Sequence, residues 1–481
     1  MSKEFVMFKN ITEAKSFIKE NNIQFVDLKL VDLRGRFRHL SIPAERLNEK
    51  LMKEGIGFDA SNYGYACVEK SDMVFYPDLS TAYEEPFAET PTLSMMANVY
   101  AIEEKENTPF VQYPRNVIAA AADYMKEMQI ADQMIIAPEY EFSLFDSMRY
   151  AIRSNEVSVS LKSMESEWSS DMENSNGYHT LPKSGYHADL PHDICFDLRN
   201  EICRLLKDCG IEVKYHHHEV GGSGQMEVEV ELCDVKKAAD DAMMTRYMIR
   251  NAAAREGMTA TFLPKPIADE AGNGLHVHMQ LRKGGKNLFY KKDAYASLSD
   301  EAMYFIGGLL KHIASLSAFL NPSTNSFRRL VPGFEAPVTV GYACANRSAV
   351  IRIPAYAKKE DAVRFELRSG DGTCNPYFAF AAILMAGIDG IVNRIDPKDH
   401  NWGPFDFNLY DLSKEEKAKL EHLPLHLDGA LNALEEDHDY LLKGNVFTEE
   451  LINNWIALIR NEERQVEKIP HPAEFRLYYD L

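Results

Sequence analysis

Acidic and histidine side chains are concentrated in one stretch of the chain, YHHHEVGGSGQMEVEVEL at 215–232. It holds three consecutive histidines, followed by Glu227, Glu229 and Glu231 in alternation with apolar residues. Because successive side chains on a β-strand point to opposite faces, these glutamates would share one face of a strand. Their negative charges then require a metal ion, another cation or open water beside them.

The same alternation of polar and apolar residues recurs in three other segments. They are APEYEFSLFD with Glu139 and Glu141, GNGLHVHMQL with His276 and His278, and RFELRSGDGTCNPY with Arg364, Glu366 and Arg368. One such strand is most simply a solvated sheet face. Several strands with Glu, His and Arg but almost no Lys indicate a partly desolvated site instead, because Lys is the residue that suits open water.

Six side chains from these segments could hold two divalent cations: Glu139, Glu141, Glu219, Glu227, His276 and Glu366. Carboxylates with one imidazole suit Mg²⁺ or Mn²⁺ better than zinc. Arginines accompany them in the sequence, at 328, 329, 347, 352, 364 and 368. Metal ions with arginines are typical of phosphoryl transfer, which depends on positioning and charge neutralisation.

This pattern predicts an enzyme that uses ATP. The sequence has no GxxxxGK[ST] motif, so metal ions, histidines and arginines would have to hold the nucleotide. Paired carboxylates would also suit a glycoside hydrolase. That reaction explains neither the arginines nor the histidine pair.

The composition limits the class of protein. The 481 residues are 45% hydrophobic, with a net charge of -20 and a pI near 5.3, which argues against a nucleic-acid surface and for small molecules or proteins as partners. No targeting segment and no run of eighteen apolar residues is present, so we expect a cytoplasmic protein. The seven cysteines form no CxxC pair and are expected to be reduced packing residues.

The elements that must position these residues suggest an α+β fold with a large sheet. We expect an N-terminal domain over 1–105 and a catalytic domain over 106–481. The periodicity predicts helices at 12–21, 114–128, 193–209, 236–257 and 298–319, a hairpin at 25–44 turning at Gly35, a buried core helix at 378–388 and an exposed excursion at 154–176.

Several long motifs resemble, in order and spacing, type I glutamine synthetase. They are HHHEV with GQ-x-E, GNGLHVH, NS-x-RRLVPG-x-EAPV, NRSAVIRIP, R-x-E-x-R and HPAEFRLYY at 471–479. The resemblance covers nearly the whole chain. It implies a small β-grasp domain, a catalytic domain with a curved antiparallel sheet flanked by helices, and a dodecamer of two hexameric rings with active sites between neighbouring subunits.

The resemblance also implies a reaction and a set of roles. ATP would phosphorylate the γ-carboxylate of glutamate, and ammonia would then replace phosphate to give glutamine, with two or three Mg²⁺ or Mn²⁺ per site. The metal ligands would be Glu141, Glu219 and Glu227 for one ion and Glu139, His276 and Glu366 for the next. The nucleotide would contact His278, Arg347, Arg352 and Glu219, and glutamate would contact Gly272, Arg329, Glu335 and Arg368. The catalytic residues would be Tyr186, Glu335, Arg347 and Asp59 of the neighbouring subunit.

Departures from the family pattern bear on the amine. Ala271 replaces an asparagine that commonly touches glutamate, Ala60 and Asn62 alter FDGSS, and Ala345 replaces an arginine. An organic amine as nucleophile, giving a γ-glutamylamide, and an inactive scaffold are therefore the alternatives. Asp59 and Glu335 favour ammonia, because a pocket that removes a proton from ammonium needs them. Tyr410 matches a tyrosine that some relatives adenylylate.

Overall fold

The computed structural model describes residues 7–65, 71–171, 173, 175–331, 336–407, 409 and 412–481. Glu335 and Tyr410, both singled out from the sequence, lie outside the described residues.

The N-terminal part is a seven-stranded sheet with two helices. Its elements are α1 Ile11–Glu20, β1 Phe25–Val31, β2 Phe37–Pro43, α2 Glu49–Glu54, β3 Ile56–Asp59, β4 Asp72–Pro77, β5 Tyr83–Glu84, β6 Thr92–Ala101 and β7 Thr108–Pro109. The order is β2-β1-β6-β4-β3, with β1 parallel to β6. The predicted hairpin is β1–β2. It turns at Gly35, whose φ of +81° favours glycine.

The larger part is built on a ten-stranded sheet in the order β11-β12-β8-β15-β19-β18-β17. Its strands and the neighbouring hairpin β9–β10 are β8 Gln133–Phe145, β9 Ser147–Arg153, β10 Glu156–Lys162, β11 Val213–His218, β12 Gln225–Val230, β13 Cys233–Asp234, β14 Thr259–Thr261, β15 Leu275–Lys283, β16 Lys286–Asn287, β17 Thr339–Cys344, β18 Ala349–Ile353 and β19 Phe365–Leu367. The pairs are antiparallel except β17–β18, which is parallel.

The larger part also contains helices, several of which pack against strands of this sheet. They are α3 Pro114–Glu127, α4 Phe196–Asp208, α5 Val235–Arg255, α6 Asp300–Lys311, α7 Ile313–Leu320, α8 Ser326–Arg329, α9 Pro376–Asn393, α10 Lys414–Lys417, α11 Leu427–Glu436, α12 Asp439–Leu442, α13 Glu449–Glu467 and α14 Pro472–Tyr478. The predicted core helix is α9. It is long and apolar enough to cross a membrane, but 78% of it is buried inside the protein among the other helices, as a core helix is.

The two faces of the sheet differ in chemistry. On β8, Tyr140, Phe142 and Leu144 are fully buried in the core, where α5 packs against the strand. The alternate residues Glu139 and Glu141 therefore point to the other face. The alternation predicted from the sequence thus separates side chains that pack in the core from polar side chains on the opposite face of the sheet.

Three expectations differ from the structure. The helix predicted at 298–319 is two helices, α6 and α7, which meet at His312 with a bend of 75°. The excursion at 154–176 contains strand β10, and beyond it Glu165 and its neighbours Ser163, Ser166 and Ser169 are buried. Glu231 lies past the end of β12 and is exposed, so it does not share the face of Glu227 and Glu229.

Candidate active site

Strand register brings the acidic and histidine residues into one row across the sheet. Directly opposite residues share a face, and here they pair from strand to strand. The pairs are His217 with Glu227, Glu227 with Glu141, Glu229 with Glu139, Glu139 with His276, His278 with Glu366, and Glu366 with Arg352. The row spans β11, β12, β8, β15, β19 and β18, so residues separated by more than a hundred positions form one site.

Glu139 lies between the two histidines of β15. Its Oε2 is 2.9 Å from His276 Nδ1 and its Oε1 is 2.7 Å from His278 Nε2. Burial alone would raise the pKa of Glu139, but the charge of His278 and hydrogen bonds from both histidines hold that pKa well below its usual value. Glu139 is therefore an anion.

Glu366 is fully buried and pairs with two arginines. Its Oε2 accepts from Arg352 Nη1 at 2.6 Å, and its Oε1 accepts from Arg368 Nη1 at 2.5 Å. Burial would raise the pKa of Glu366, but Arg368 holds it below its usual value. The Nε atoms of Arg352 and Arg368 have no hydrogen-bond partner among the residues that the structure describes. Both guanidiniums keep capacity for an anionic ligand.

The other end of the row has the opposite electrostatics. Burial, with Glu141 and Glu227 next in importance, raises the pKa of Glu219 to about 8. Burial and the charges of Glu139 and Glu141 raise the pKa of Glu227 well above its usual value. Here carboxylates face one another, with His217 Nε2 3.2 Å from Glu227 Oε1 and His276 Nδ1 3.6 Å from Glu141 Oε1. A cation at this end would relieve the repulsion.

Glu141 is fixed by the loop before β15. Its Oε2 accepts from Gly274 N at 2.7 Å and from Gln225 Nε2 at 3.4 Å. A Cβ on Gly274 would lie 2.5 Å from Arg329 Nη2 and 2.8 Å from His276 Nε2. Glycine is needed at 274 because Arg329 approaches the row there.

A cavity of about 350 Å³ opens above the row. The cations that line it are Lys214, Arg329, Arg347, Arg352 and Arg368, and the carboxylates are Glu139, Glu141, Glu219 and Glu227, with His276 beside them. Arg329 is held by the carbonyls of Ser369 and Gly370, each 3.2 Å from Nη1. A cavity lined by both cations and carboxylates suits a polyanionic substrate bound through divalent ions.

Two arginines expected near the cavity lie elsewhere. Arg328 is exposed and lines a separate cavity beside α13, since residues next to each other on a helix point in different directions. Arg364 donates to the carbonyl of Ala362 and stacks on Tyr356.

The remaining predicted residues divide into three groups. Tyr186 and Gly272 line the cavity. His278 is fully buried behind Glu139 rather than in the cavity wall. Asp59 is exposed on the N-terminal sheet at the end of β3, where its carboxylate accepts from Ser61 N and Asn62 Nδ2.

The sequence did not predict that Glu229 forms a salt bridge with Lys214. Its Oε1 accepts from Lys214 Nζ at 2.6 Å, while its Oε2 is buried without a protein partner. The alternation with Glu227 was the available signal, but the partner Lys214 lies on β11 and is found only through the strand register. His217 and Gln225 belong to motifs identified in the sequence but were not predicted to be site residues. Both line the cavity.

Among the described residues, three groups of side chains bring ligand atoms within 4.8 Å of one another. They are Glu139, His276 and Glu366; Glu139, Glu229 and His278; and His217, Glu219 and Glu227. The first is the set expected for one cation. The third contains two of the three residues expected for the other cation, with His217 beside them, while Glu141 lines the same cavity.

Comparison with known families gives a consistent result over the chain. The family model "Glutamine synthetase, beta-Grasp domain" matches residues 22–102, and "Glutamine synthetase, catalytic domain" matches 111–478. The chain is 42% identical to glutamine synthetase of Pasteurella multocida over 473 residues, covering 98% of each chain. It is also 42% identical to glutamine synthetase of Frankia alni, covering 99% of this chain and 100% of that one.

Solved structures agree with these sequence matches. The structure of Plasmodium falciparum glutamine synthetase superposes with a TM-score of 0.88 at 29% identity, covering 99% of this chain and 100% of that one. A structure described as apo GmaS without ligand superposes with a TM-score of 0.79 at 28% identity, covering 97% of this chain and 99% of that one. The fold expected from the resemblance is confirmed, and the chain belongs to the glutamine synthetase family.

Proposed function

We propose that this protein catalyses the ATP-dependent ligation of L-glutamate and ammonia to L-glutamine through γ-glutamyl phosphate. The observation that supports it most is the row of carboxylates and histidines, which lines one cavity together with several arginines. Membership of the glutamine synthetase family implies the use of ATP and a divalent metal. A cytoplasmic location and a dodecamer of two hexameric rings belong to the same proposal.

The donor set fits hard divalent cations. The candidate ligands are carboxylates with imidazoles and no thiolates, a mixture that suits Mg²⁺ or Mn²⁺. The raised pKa values of Glu219 and Glu227 indicate carboxylates that lack a compensating positive charge. When bound, the cations would supply charge neutralisation at the transferring phosphoryl group.

The arginines would bind the phosphates and position the nucleotide. Arg352 is held by Glu366 and lines the cavity with Arg347. A guanidinium already fixed by a carboxylate loses little freedom when it contacts phosphate. We assign Arg347, Arg352, Glu219 and His278 to the nucleotide end, with His278 acting from behind Glu139.

Glutamate would lie near Arg329, Arg368 and Gly272. Arg329 points its Nη2 at His276 Nε2, 3.4 Å away, and so reaches the metal row while its other nitrogen is held by backbone carbonyls. A Cβ at Gly272 would lie 2.3 Å from the carbonyl oxygen of Pro264, so the position requires glycine. Because Gly272 has no side chain, its backbone lines the cavity. Arginines suit the carboxylates of glutamate, and backbone carbonyls suit its amino group.

The second step requires ammonia in place of ammonium. A carboxylate binds ammonium and takes one proton, and the freed nitrogen lone pair forms the C–N bond. The C–O bond to phosphate then breaks, and the nitrogen gives up a second proton, which leaves with the phosphate as hydrogen phosphate. Asp59 of the neighbouring subunit, Tyr186 and Glu219 would form this pocket, and Glu335 would close it and help take the proton. Exclusion of water protects the acyl phosphate from hydrolysis.

The product assay tests the proposal. Purified protein with ATP, Mg²⁺ and glutamate is offered ammonia, methylamine or putrescine separately, and both phosphate and the amide product are measured. Fastest turnover with ammonia and formation of glutamine are expected. Faster turnover with an organic amine, or no turnover with any amine, would overturn the proposal. The curated relatives named glutamine synthetase, at about 42% identity, favour ammonia.

A further inference from the structure

A buried chain of hydrogen bonds runs from the excursion after β10 to the backbone of Glu219. His218 is fully buried, with its Nε2 3.1 Å from Glu165 Oε2 and its Nδ1 2.7 Å from the carbonyl oxygen of Glu219. A carbonyl can only accept a hydrogen bond, so Nδ1 carries a proton and donates it. Glu165 thus determines how His218 holds the main chain at Glu219.

The same histidine supports the loop that carries Tyr186. The amide of His187 donates to the carbonyl of His218 at 3.0 Å. A Cβ on Gly185 would lie 2.5 Å from both the Glu219 carbonyl oxygen and His218 Cε1. The loop therefore packs directly on the His218–Glu219 backbone, and Tyr186 lies between two residues fixed by it.

Glu165 is itself firmly placed. It is 1% exposed, and its carbonyl accepts from Thr180 N at 2.7 Å. The adjacent Ser166 Oγ donates to Ser223 Oγ at 2.7 Å, beside the turn before β12. A carboxylate with so little exposure is costly unless it is paired; Oε2 pairs with His218, whereas Oε1 has no partner among the described residues. Glu165 does not line the cavity, and His218 links its side chain to Glu219.

We propose that Glu165 is a positioning residue for the ammonium end of the active site. Through His218 it orients Glu219, and through the loop at 184–187 it orients Tyr186. The inference rests on the proposed function, because Glu219 and Tyr186 have their roles there. It deepens that function by adding a residue that contacts neither substrate nor cation.

Glu165→Ala tests this role by removing the partner of His218. Groups that orient a metal ligand typically change metal affinity or activity by about 10–100-fold when mutated, and we expect a loss of that size in Mn²⁺ affinity, measured by calorimetry. The KM for ammonium should rise more than the KM for ATP. Glu165→Gln keeps a hydrogen-bonding group at the same length and should restore both values to near the wild-type ones.

The matched control is Glu167→Gln, which neutralises an exposed acid two positions away and should change neither value. Glu165→Asp, which withdraws the carboxylate by one methylene, replaces Glu165→Ala if the alanine variant does not fold, and the same loss is expected. Wild-type Mn²⁺ affinity in these variants, or loss of thermal stability alone, would overturn the positioning role. Failure of the wild-type protein to form glutamine would instead overturn the proposed function.

Discussion

Glu366 is a buried carboxylate with two kinds of neighbour, arginines and other candidate metal ligands. It pairs with Arg352 and Arg368, and it lies with Glu139 and His276 in a group of candidate metal ligands. Such a carboxylate is stable as an anion because its partners are cations, which is the reverse of the situation at Glu219. The site therefore combines fixed anions at one end with carboxylates that need a cation at the other.

Glu366→Gln removes that charge with almost no change of volume. Two guanidiniums then lose their anionic partner and one candidate cation site loses a ligand, so we expect kcat to fall by at least about a hundredfold. Steady-state glutamine formation is the measurement, with oligomeric state checked by gel filtration. Glu360→Gln, on an exposed side chain nearby, is the control. Activity close to wild type, or dissociation of the oligomer in place of lost turnover, would contradict the assignment.

The close approach of Arg329 to Gly274 leads to a second prediction for a single residue. Gly274→Ala places a Cβ 2.5 Å from Arg329 Nη2, so Arg329 must move away from His276. We expect a higher KM for glutamate and a destabilisation of about 1–3 kcal/mol from overpacking. Gly429→Ala on α11, where the nearest atom is 3.5 Å away, should leave the KM unchanged and should raise the stability slightly, because alanine favours a helix by about 1 kcal/mol over glycine. An unaltered KM in Gly274→Ala would show that Arg329 does not bind glutamate.

At the scale of elements, alternation carried most of what the sequence could predict. It identified which residues of β8, β12 and β15 leave the core, because burial on one face imposes a period of two. It could not reveal that Glu139 lies opposite both His276 and Glu229, since register depends on which strands become neighbours. The salt bridge from Lys214 to Glu229 was hidden for the same reason.

The errors at this scale have local causes. The apolar pattern at 298–319 continues through His312, so periodicity alone predicts one helix, although the chain bends there. The bend is stabilised by tertiary contacts: His312 stacks on Tyr440 at 4.0 Å between ring centres and bonds to Asp389 and Asp437. Likewise, the polar composition at 154–176 suggested exposure because the partner of Glu165, His218, lies far away in sequence.

The stability of the protein is expected to depend on pH through the protonation of His312. Burial alone would lower its pKa, but hydrogen bonds with Asp389 and Asp437 outweigh burial and raise it above the usual 6.5. A raised pKa in the folded state means that protonated His312 stabilises the fold fully below pH 6.5, and that this contribution is lost as the pH rises through the folded-state pKa. The apparent unfolding midpoint of the wild type should therefore fall over this range.

The measurement compares wild type with His312→Gln at a fixed protein concentration across pH 6 to 9. The variant should lack the His312 component of the pH dependence, whereas His426→Gln, at an exposed histidine, should retain it. Identical pH profiles for wild type and His312→Gln would show that the ion pairs with Asp389 and Asp437 contribute nothing.

At the scale of the whole molecule, the two parts of the chain are joined near the site. Arg34, in the β1–β2 turn, donates to the carbonyls of Thr373 and Pro322 and pairs with Glu462 of α13. Asn375, at the start of α9, donates to the carbonyl of Leu33. The β-grasp part is therefore fixed to the loop that follows Arg368. Its residue Asp59 nevertheless does not line the cavity of its own chain.

A complementation experiment tests whether sites are shared between subunits. Asp59→Ala and Glu366→Gln should each be inactive, because each removes a side chain from every site. Co-expressed as differently tagged chains, they should form mixed oligomers in which some sites receive Asp59 from one subunit and Glu366 from the next, so activity should return. Continued inactivity of purified mixed oligomers would show that Asp59 and Glu366 of one site do not come from different subunits, and full activity of Asp59→Ala alone would place Asp59 outside the active site.

We propose that side chains from separate strands converge to bind divalent cations. Crystals soaked in Mn²⁺ test it most directly through the anomalous difference map. We expect one peak within the group of Glu139, His276 and Glu366 and another beside Glu219 and Glu227. A map without anomalous density at either place, in crystals of protein that is otherwise correctly folded, would contradict it.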